Sequence, residues 1–263
     1  MPNTLSFQAL DTLSFGVPLA EGLSIQDRLR QQGFGLLSAE ALYALIGPNA
    51  NSCPDAMPLW ANLLADEYLK DGGHYRYRRH GSFIQHVSVG ASTDVLDLVP
   101  HRPHWQPTSY NALHGGMLRR FEPLTPEFLA MPFWQPLVTH LGRLFAEIRP
   151  VVARWFIEAH QFRIDTRDGV GRPTPEGAHR DGVDFVVVIM IGRRNIRGGE
   201  TRVFEVDGAR GVRFTLSEPC SALLMDDSRV IHESTPIIPV GNPNDGWRDT
   251  LVLTFRSGGF LAP

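Results

Sequence analysis

The chain is poor in cysteine. Its only two, Cys53 and Cys220, stand far apart and form no CxxC pair. That excludes a zinc ribbon and a disulfide framework, and it fits a reducing compartment. Long apolar runs are also missing. No window reaches the roughly 18 uninterrupted apolar residues that a membrane span requires. The opening segment, "MPNTLSFQALDTLSFGVPLAEG", has no Lys or Arg ahead of its apolar residues and no continuous apolar core, so it does not read as a signal peptide. A cytoplasmic location is the expectation. Nor is there a basic excess: 25 Lys and Arg face 28 Asp and Glu, for a formal net charge of −3. Neither a nucleic acid nor an anionic membrane is an expected partner. Internal repeats and low-complexity tracts are absent as well.

What is present is enough for a folded core. Hydrophobic residues make up 43% of the 263 and charged residues 20%, the balance of an ordinary globular domain. We take 1–263 as a single domain, with 1–150 mainly helical and loop and 151–263 as a β-rich core. "SIQDRLRQQ" (24–32) reads as a helix capped by Ser24 and stopped by Gly33. "GFGLL" reads as a short strand, and "SAEALYALIG" as a helix from Ser38 to Gly47. "PLWANLLADEYLKDGG" has Leu59, Leu63 and Leu64 at helical spacing and predicts a third helix. "HYRYRRHGSFIQHVSV" alternates as a half-buried strand does, and a helix is expected from near Pro136 to 149. Beyond 151 the pattern is short strands separated by Gly, Asp and Asn turns: "RWFIEAHQFRID", "DFVVVIMIG", "TRVFEV", "VRFTL", "SALLMDD", "RVIHESTPIIPV" and "RDTLVLTFR". The expected class is α+β: a C-terminal jelly-roll or cupin-like barrel with N-terminal helices packed around it.

The chemistry is concentrated in "AHRDGVDF" (178–185). In extended backbone, residues i and i+2 share a face, so His179 and Asp181 present an imidazole and a carboxylate side by side. His232, in "SRVIHESTP", supplies a third candidate ligand from a later strand. Two histidines and one carboxylate with the remaining positions open form the facial triad of non-haem Fe(II) oxygenases. An HxD alone is a common accident. The ordered series HxD, a lone strand histidine and then Arg248 at the head of the last strand is much more specific. A guanidinium stays charged when buried and can meet a carboxylate bidentately. Arg248 therefore suits the far carboxylate of 2-oxoglutarate, with Arg256 at the strand's other end as its rival.

These segments resemble the 2-oxoglutarate/Fe(II)-dependent dioxygenases, and within them the bacterial L-isoleucine 4-hydroxylase-like group of amino-acid hydroxylases. "HQFRID", "PTPEGAHRDGVDFV", "NIRGGET", "IHESTPI" and "WRDTLVLTF" carry the likeness over roughly 155–256. The resemblance implies a double-stranded β-helix, Fe(II) on His179, Asp181 and His232, and 2-oxoglutarate clamped by Arg248. It implies O2 and a free aliphatic L-amino acid as co-reactants. Some relatives of this group are linked to biofilm and stress phenotypes. Asp181 is retained where a halogenase would carry a small residue. Two other readings keep the fold: a cupin-like metal protein with non-oxidative chemistry, and a non-catalytic stress or biofilm binding protein.

Further pocket candidates come from alternation. Gln161 and Arg163 share a face of "HQFRI" and suit the cosubstrate or a substrate carboxylate. Tyr75, Tyr77 and Arg79 share a face of "HYRYRRHG" and suit an amino-acid substrate. His74, His80, His86, His101, His104, His114 and His140 show no ligand spacing and receive no metal role. Asp226-Asp227 reads as a turn.

Overall fold

The computed structural model describes residues 13–15, 22–47, 53–87, 94–207 and 210–263. Most of the N-terminal segment read above and residues 208 and 209, between "TRVFEV" and "VRFTL", lie outside them. In chain order the strands and helices are β1 (Leu13–Phe15), α1 (Ile25–Gln32), β2 (Phe34–Leu37), α2 (Ala39–Ile46), β3 (Leu64–Ala65), β4 (Arg76–His86), β5 (Val95–Leu98), α3 (Pro126–Leu129) and α4 (Trp134–Ile148). Then follow β6 (Arg154–Asp165), β7 (Phe185–Arg194), β8 (Ile196–Gly198), β9 (Thr201–Glu205), β10 (Gly211–Phe214), β11 (Ala222–Asp226), β12 (Val230–Ser234), β13 (Ile237–Pro239) and β14 (Trp247–Arg256).

Local signals place the first elements where the sequence puts them. The Ser24 hydroxyl accepts from the Asp27 N–H, and Ser38 does the same for Ala41. Each satisfies one of the donors a helix start leaves unpaired. Gly33 ends α1 at φ +81°, a conformation that costs glycine little. The expected helix over 58–73 does not form. A 3-10 helix spans Pro54–Trp60, and the chain then runs extended as β3. Pro58 lies inside that first segment, and the Asp66 N–H pairs with the Arg76 carbonyl at 2.8 Å. Strand pairing outweighs the leucine spacing there.

Two antiparallel sheets carry the architecture. The larger runs β2-β11-β7-β14-β6-β4-β3, with β5 also on β4, and the smaller runs β1-β10-β9-β12. This is the double-stranded β-helix. The first 150 residues, read as mainly helical and loop, also supply β1 to β5 to these sheets.

The central strands of the larger sheet, β11, β7, β14 and β6, are largely buried on both faces, and their parity decides what each residue does. One face meets α4 and the other helices through Ile157, Ala159, Val187, Ile189, Leu251 and Leu253. The opposite face meets the smaller sheet through Val186, Met190, Val203, Phe214 and Val230. That explains why "FVVVIMIG" is continuously apolar rather than alternating. Phe145 on α4 stacks on Phe185 with centroids 4.2 Å apart and planes 4° apart, and Trp155 meets Phe185 edge-on at 5.8 Å. Gly142 lets α4 approach the sheet: a Cβ there would meet the Gln85 side chain at 1.8 Å. Cys53 and Cys220, remote in sequence, meet in this core as free thiols with Sγ atoms 2.6 Å apart. Among the described residues no helix is long and apolar enough to cross a membrane.

Phe185 is fully buried between two aromatic partners, Phe145 and Trp155. Phe185→Ala should cost about 3–5 kcal/mol, read as a fall in the urea midpoint with unchanged m-value. An unchanged midpoint would contradict this packing.

Candidate metal centre and its cavity

His179 lies on the loop before β7, and His232 is central in β12. Their backbones pair directly, with His179 N–H to His232 O and His232 N–H to His179 O both 3.0 Å. This bridge brings the two rings to a centroid separation of 4.6 Å. His179 Nδ1 bonds the Gly177 carbonyl at 2.9 Å, which leaves Nε2 as the ligand atom, as a second partner on a metal-binding histidine does. Asp181 Oδ1 lies 3.9 Å from His179 Nε2, and Oδ2 lies 3.8 Å from His232 Nε2. One ligand atom from each of the three lies within 4.8 Å of the others. Bonds of about 2.1 Å need only a small inward movement.

The electrostatics fit a cation. Burial alone would lower the His179 pKa, but the Asp181 and Glu176 carboxylates outweigh it and raise it. His232 is held well below its ordinary value by burial and by His179. It therefore stays a neutral donor.

Two groups hold Asp181 in place. The Asp227 carboxylate accepts the backbone N–H groups of Asp181, Gly182 and Val183 at 2.9, 2.8 and 3.2 Å. Burial and the Asp181 charge push the Asp227 pKa up to about 7. Gly182 sits at φ +79° against Tyr110, and a Cβ there would meet that ring at 2.5 Å. Asp227 is thus more than the turn residue read from sequence. On the other side, Gln106 donates to Asp181 Oδ1 at 3.0 Å while its own oxygen accepts from Arg119 at 2.9 Å and Asn111 at 3.2 Å.

The triad opens into a cavity whose wall also carries Gln106, Phe162, Glu176 and Val188. Arg248 lines it, buried, with Nε unpartnered. Burial and neighbouring Arg193 lower the Arg248 pKa to about 10, so it stays charged at neutral pH. The rival Arg256 bonds the Gly259 carbonyl and does not line the cavity.

Five other sequence candidates face elsewhere. On β6 the cavity receives His160, Phe162 and Ile164, and on β4 it receives Arg76 and Arg78. Gln161, Arg163, Tyr77 and Arg79 have the opposite parity. Gln161 is buried, and its amide has no partner. Arg163 pairs with Asp249 at 2.6 Å and covers Trp247. Tyr77 lies under Arg167, and Arg79 donates to the Pro123 carbonyl. Tyr75 bonds Asp71 and packs with Ile164 and Ile237. The expected pocket role of these five residues is corrected: the residues one position away along β4 and β6 line the cavity instead.

A second histidine cluster was missed. His80, His104, Glu158 and His160 are all buried and within ligand reach of one another. Glu158 and His160 share a face of β6 at i, i+2, but His80 on β4 and His104 on the loop between β5 and α3 are remote in sequence. His80 and His104 bond the two Glu158 oxygens at 3.2 and 3.0 Å, and Arg102 meets the same carboxylate at 3.3 Å. Arg78 donates to His160 Nδ1 at 2.7 Å, which leaves the proton on Nε2. That atom, with Arg78 beside it, does not suit a cation. We read the cluster as a hydrogen-bonded wall of the cavity.

A β-helix of this kind, bearing two histidines and a carboxylate at its mouth, defines a non-haem iron oxygenase. The model of the 2OG-Fe dioxygenase family matches residues 57–254, and the chain belongs to that family. It is a 2-oxoglutarate-dependent dioxygenase, using Fe(II) and 2-oxoglutarate, and the non-oxidative and non-catalytic alternatives fall away. A bsmA homolog from Methylobium petroleophilum PM1 is 58% identical, with a TM-score of 0.84 over 91% of this chain and 94% of that one. IDO from Bacillus thuringiensis is 20% identical, with a TM-score of 0.69 over 89% and 97%. The Fe(II)/(alpha)ketoglutarate-dependent dioxygenase TqaL is 18% identical, with a TM-score of 0.62 over 88% and 85%. These last two show a shared fold. No curated protein matches the chain.

Asp227→Ala should weaken metal binding about 10- to 100-fold, measured by anaerobic Fe(II) or Mn(II) titration. Unchanged affinity would show that the Asp181 loop holds itself. A second expectation concerns acid. Burial pushes the His104 pKa down to about 4 against the pull of Glu158, whereas an unfolded histidine titrates near 6.5. Between those values the unfolded chain binds the extra proton, so stability falls as pH drops from about 6.5 toward 4. The urea midpoint should be lower at pH 5 than at pH 7, and His104→Asn should reduce the difference. An equal difference in the variant would assign the effect to other groups.

Proposed function

We propose that this dioxygenase, a single domain over 1–263, hydroxylates a free small L-amino acid, with Arg248 as the 2-oxoglutarate anchor. The observation that supports the anchor is a buried guanidinium with an unpartnered Nε in the same cavity as His179, Asp181 and His232. A monoanionic carboxylate there meets a donor with no competing protein acceptor. With iron bound, 2-oxoglutarate and O2 supply the oxidising chemistry: decarboxylation to succinate and CO2, coupled to insertion of the other oxygen atom into a C–H bond.

The chain's own residues do the rest. Thr250 and Val252 follow Arg248 along the cavity face of β14 and line the route toward the triad. Gln106 and Asp227 fix the Asp181 carboxylate and its backbone. At the other side, Arg76, Arg78 and Arg119 offer donors for a substrate carboxylate. Glu176 has a buried, unpartnered Oε2 for an ammonium. Opposite charges for both ends of a zwitterion thus border one cavity. The names of the IDO and TqaL neighbours concern those proteins, and the amino-acid reading here is supported by the charges.

The test is anaerobic assembly followed by turnover. Fe(II) and 2-oxoglutarate should give a visible charge-transfer band, and O2 should then release succinate faster with at least one free amino acid than without. Arg248→Gln should weaken 2-oxoglutarate binding about 10- to 100-fold, the worth of a charge-assisted hydrogen bond. An unaltered affinity would assign the anchor to another residue. Succinate release indifferent to every amino acid would overturn the substrate class.

A further inference from the structure

The charges on the substrate side of the cavity do not balance. Arg76, Arg78 and Arg119 are all buried, with relative exposures of 5, 4 and 2%, and all three line the cavity. Asp66 serves two of them, at 2.7 Å from Arg76 and 3.7 Å from Arg78. Arg119 forms no salt bridge among the described residues: its bond goes to the Gln106 amide oxygen at 2.9 Å. Each of the three keeps a buried nitrogen without a partner, namely Arg76 Nη2, Arg78 Nε and Arg119 Nε. Glu158 cannot make up the deficit, since it is committed to Arg102, His80 and His104. Burial lowers the pKa of His104 and His160, which line this side, and of His80 behind them, so they add no charge of their own.

Three guanidinium charges therefore stand against the carboxylates of Asp66 and Glu176. One positive charge is left over in a buried site. Burying a charge without a counter-charge is costly. A zwitterionic amino acid brings one carboxylate and one ammonium, so it leaves that surplus in place. An amino acid with a second carboxylate removes it.

We infer that the substrate is an acidic amino acid, a zwitterion carrying a second carboxylate, held by Arg76, Arg78 and Arg119. This rests on the free amino-acid reading above and replaces the aliphatic side chain expected from the family resemblance. Arg119 is the specificity-determining residue, because it is the one of the three that forms no salt bridge among the described residues. It is also placed for the reaction. One glutamine side chain, Gln106, joins it to Asp181 of the iron site, so an anion on Arg119 lies within one small molecule's length of the metal.

The experiment is a binding panel on the whole protein loaded anaerobically with Fe(II) and saturating 2-oxoglutarate. Calorimetry and perturbation of the charge-transfer band are the two readouts. L-Aspartate and L-glutamate are compared with their isosteric amides, with L-isoleucine, L-leucine and L-valine, and with unbranched diacids lacking the amino group. At least one acid should bind about tenfold or more tightly than its amide. Arg119→Gln should abolish that preference, and Arg119→Lys should keep part of it. The wild-type panel needs no variant, so a poorly folded Arg119→Gln does not block the test. Acid and amide binding alike, or aliphatic amino acids binding best, overturns the acidic inference and leaves the amino-acid reading standing. Diacids binding as well as acidic amino acids keeps the acid site and overturns the amino-acid reading. No binding by any of them overturns both.

Discussion

The iron site depends on one antiparallel bridge. His179 and His232 exchange both backbone hydrogen bonds at 3.0 Å, and this fixes a loop residue against a strand residue. Thr174 fastens the same loop to β12 a little further along, its hydroxyl bonding the Ser234 N–H and carbonyl at 3.0 Å each. The bridge sets the spacing of two ligands but leaves the third free to turn. Asp227 removes that freedom from the backbone side by accepting three consecutive N–H groups. Such a concave run of donors binds an anion well, and here the anion is one of the protein's own carboxylates. Gln106 removes the remaining freedom from the side-chain end.

The ligands were legible in the sequence because their geometry is local. His179 and Asp181 share a face through i, i+2 alternation, and His232 is the lone histidine of a short strand. The series ending in Arg248 needed only chain order. The helix caps at Ser24 and Ser38 were legible for the same reason: each acts on a donor three residues away. The segment over 58–73 was not, because its conformation is settled by pairing with β4 and by the Asp66–Arg76 contact. Leucine spacing carries no information about either.

Parity explains the rest. Alternation tells which residues share a face, but naming that face requires one side to be wet. The central strands of the larger sheet are largely buried on both sides, so Gln161 and Arg163 could not be told from His160 and Phe162 by pattern. The same blindness hid the histidine cluster. His80 and His160 are register partners across β4 and β6, and their rings stack at 4.7 Å. Yet they are 80 residues apart in sequence, and strand order is what joins them.

With parity known, the cavity divides into two electrostatic halves that differ in how complete they are. On the iron side, the Asp181 carboxylate and the buried Arg248 guanidinium line the cavity as one group of each sign. On the substrate side, the protein's own groups leave a positive remainder. Burial lowers the pKa of Arg119 only to about 10, so deprotonation does not relieve the excess at neutral pH. The wall carries two carboxylates, yet Arg119 keeps an amide oxygen as its hydrogen-bond partner. Gln106 holds Arg119 and Asp181 at once, so one side chain spans the two halves of the cavity.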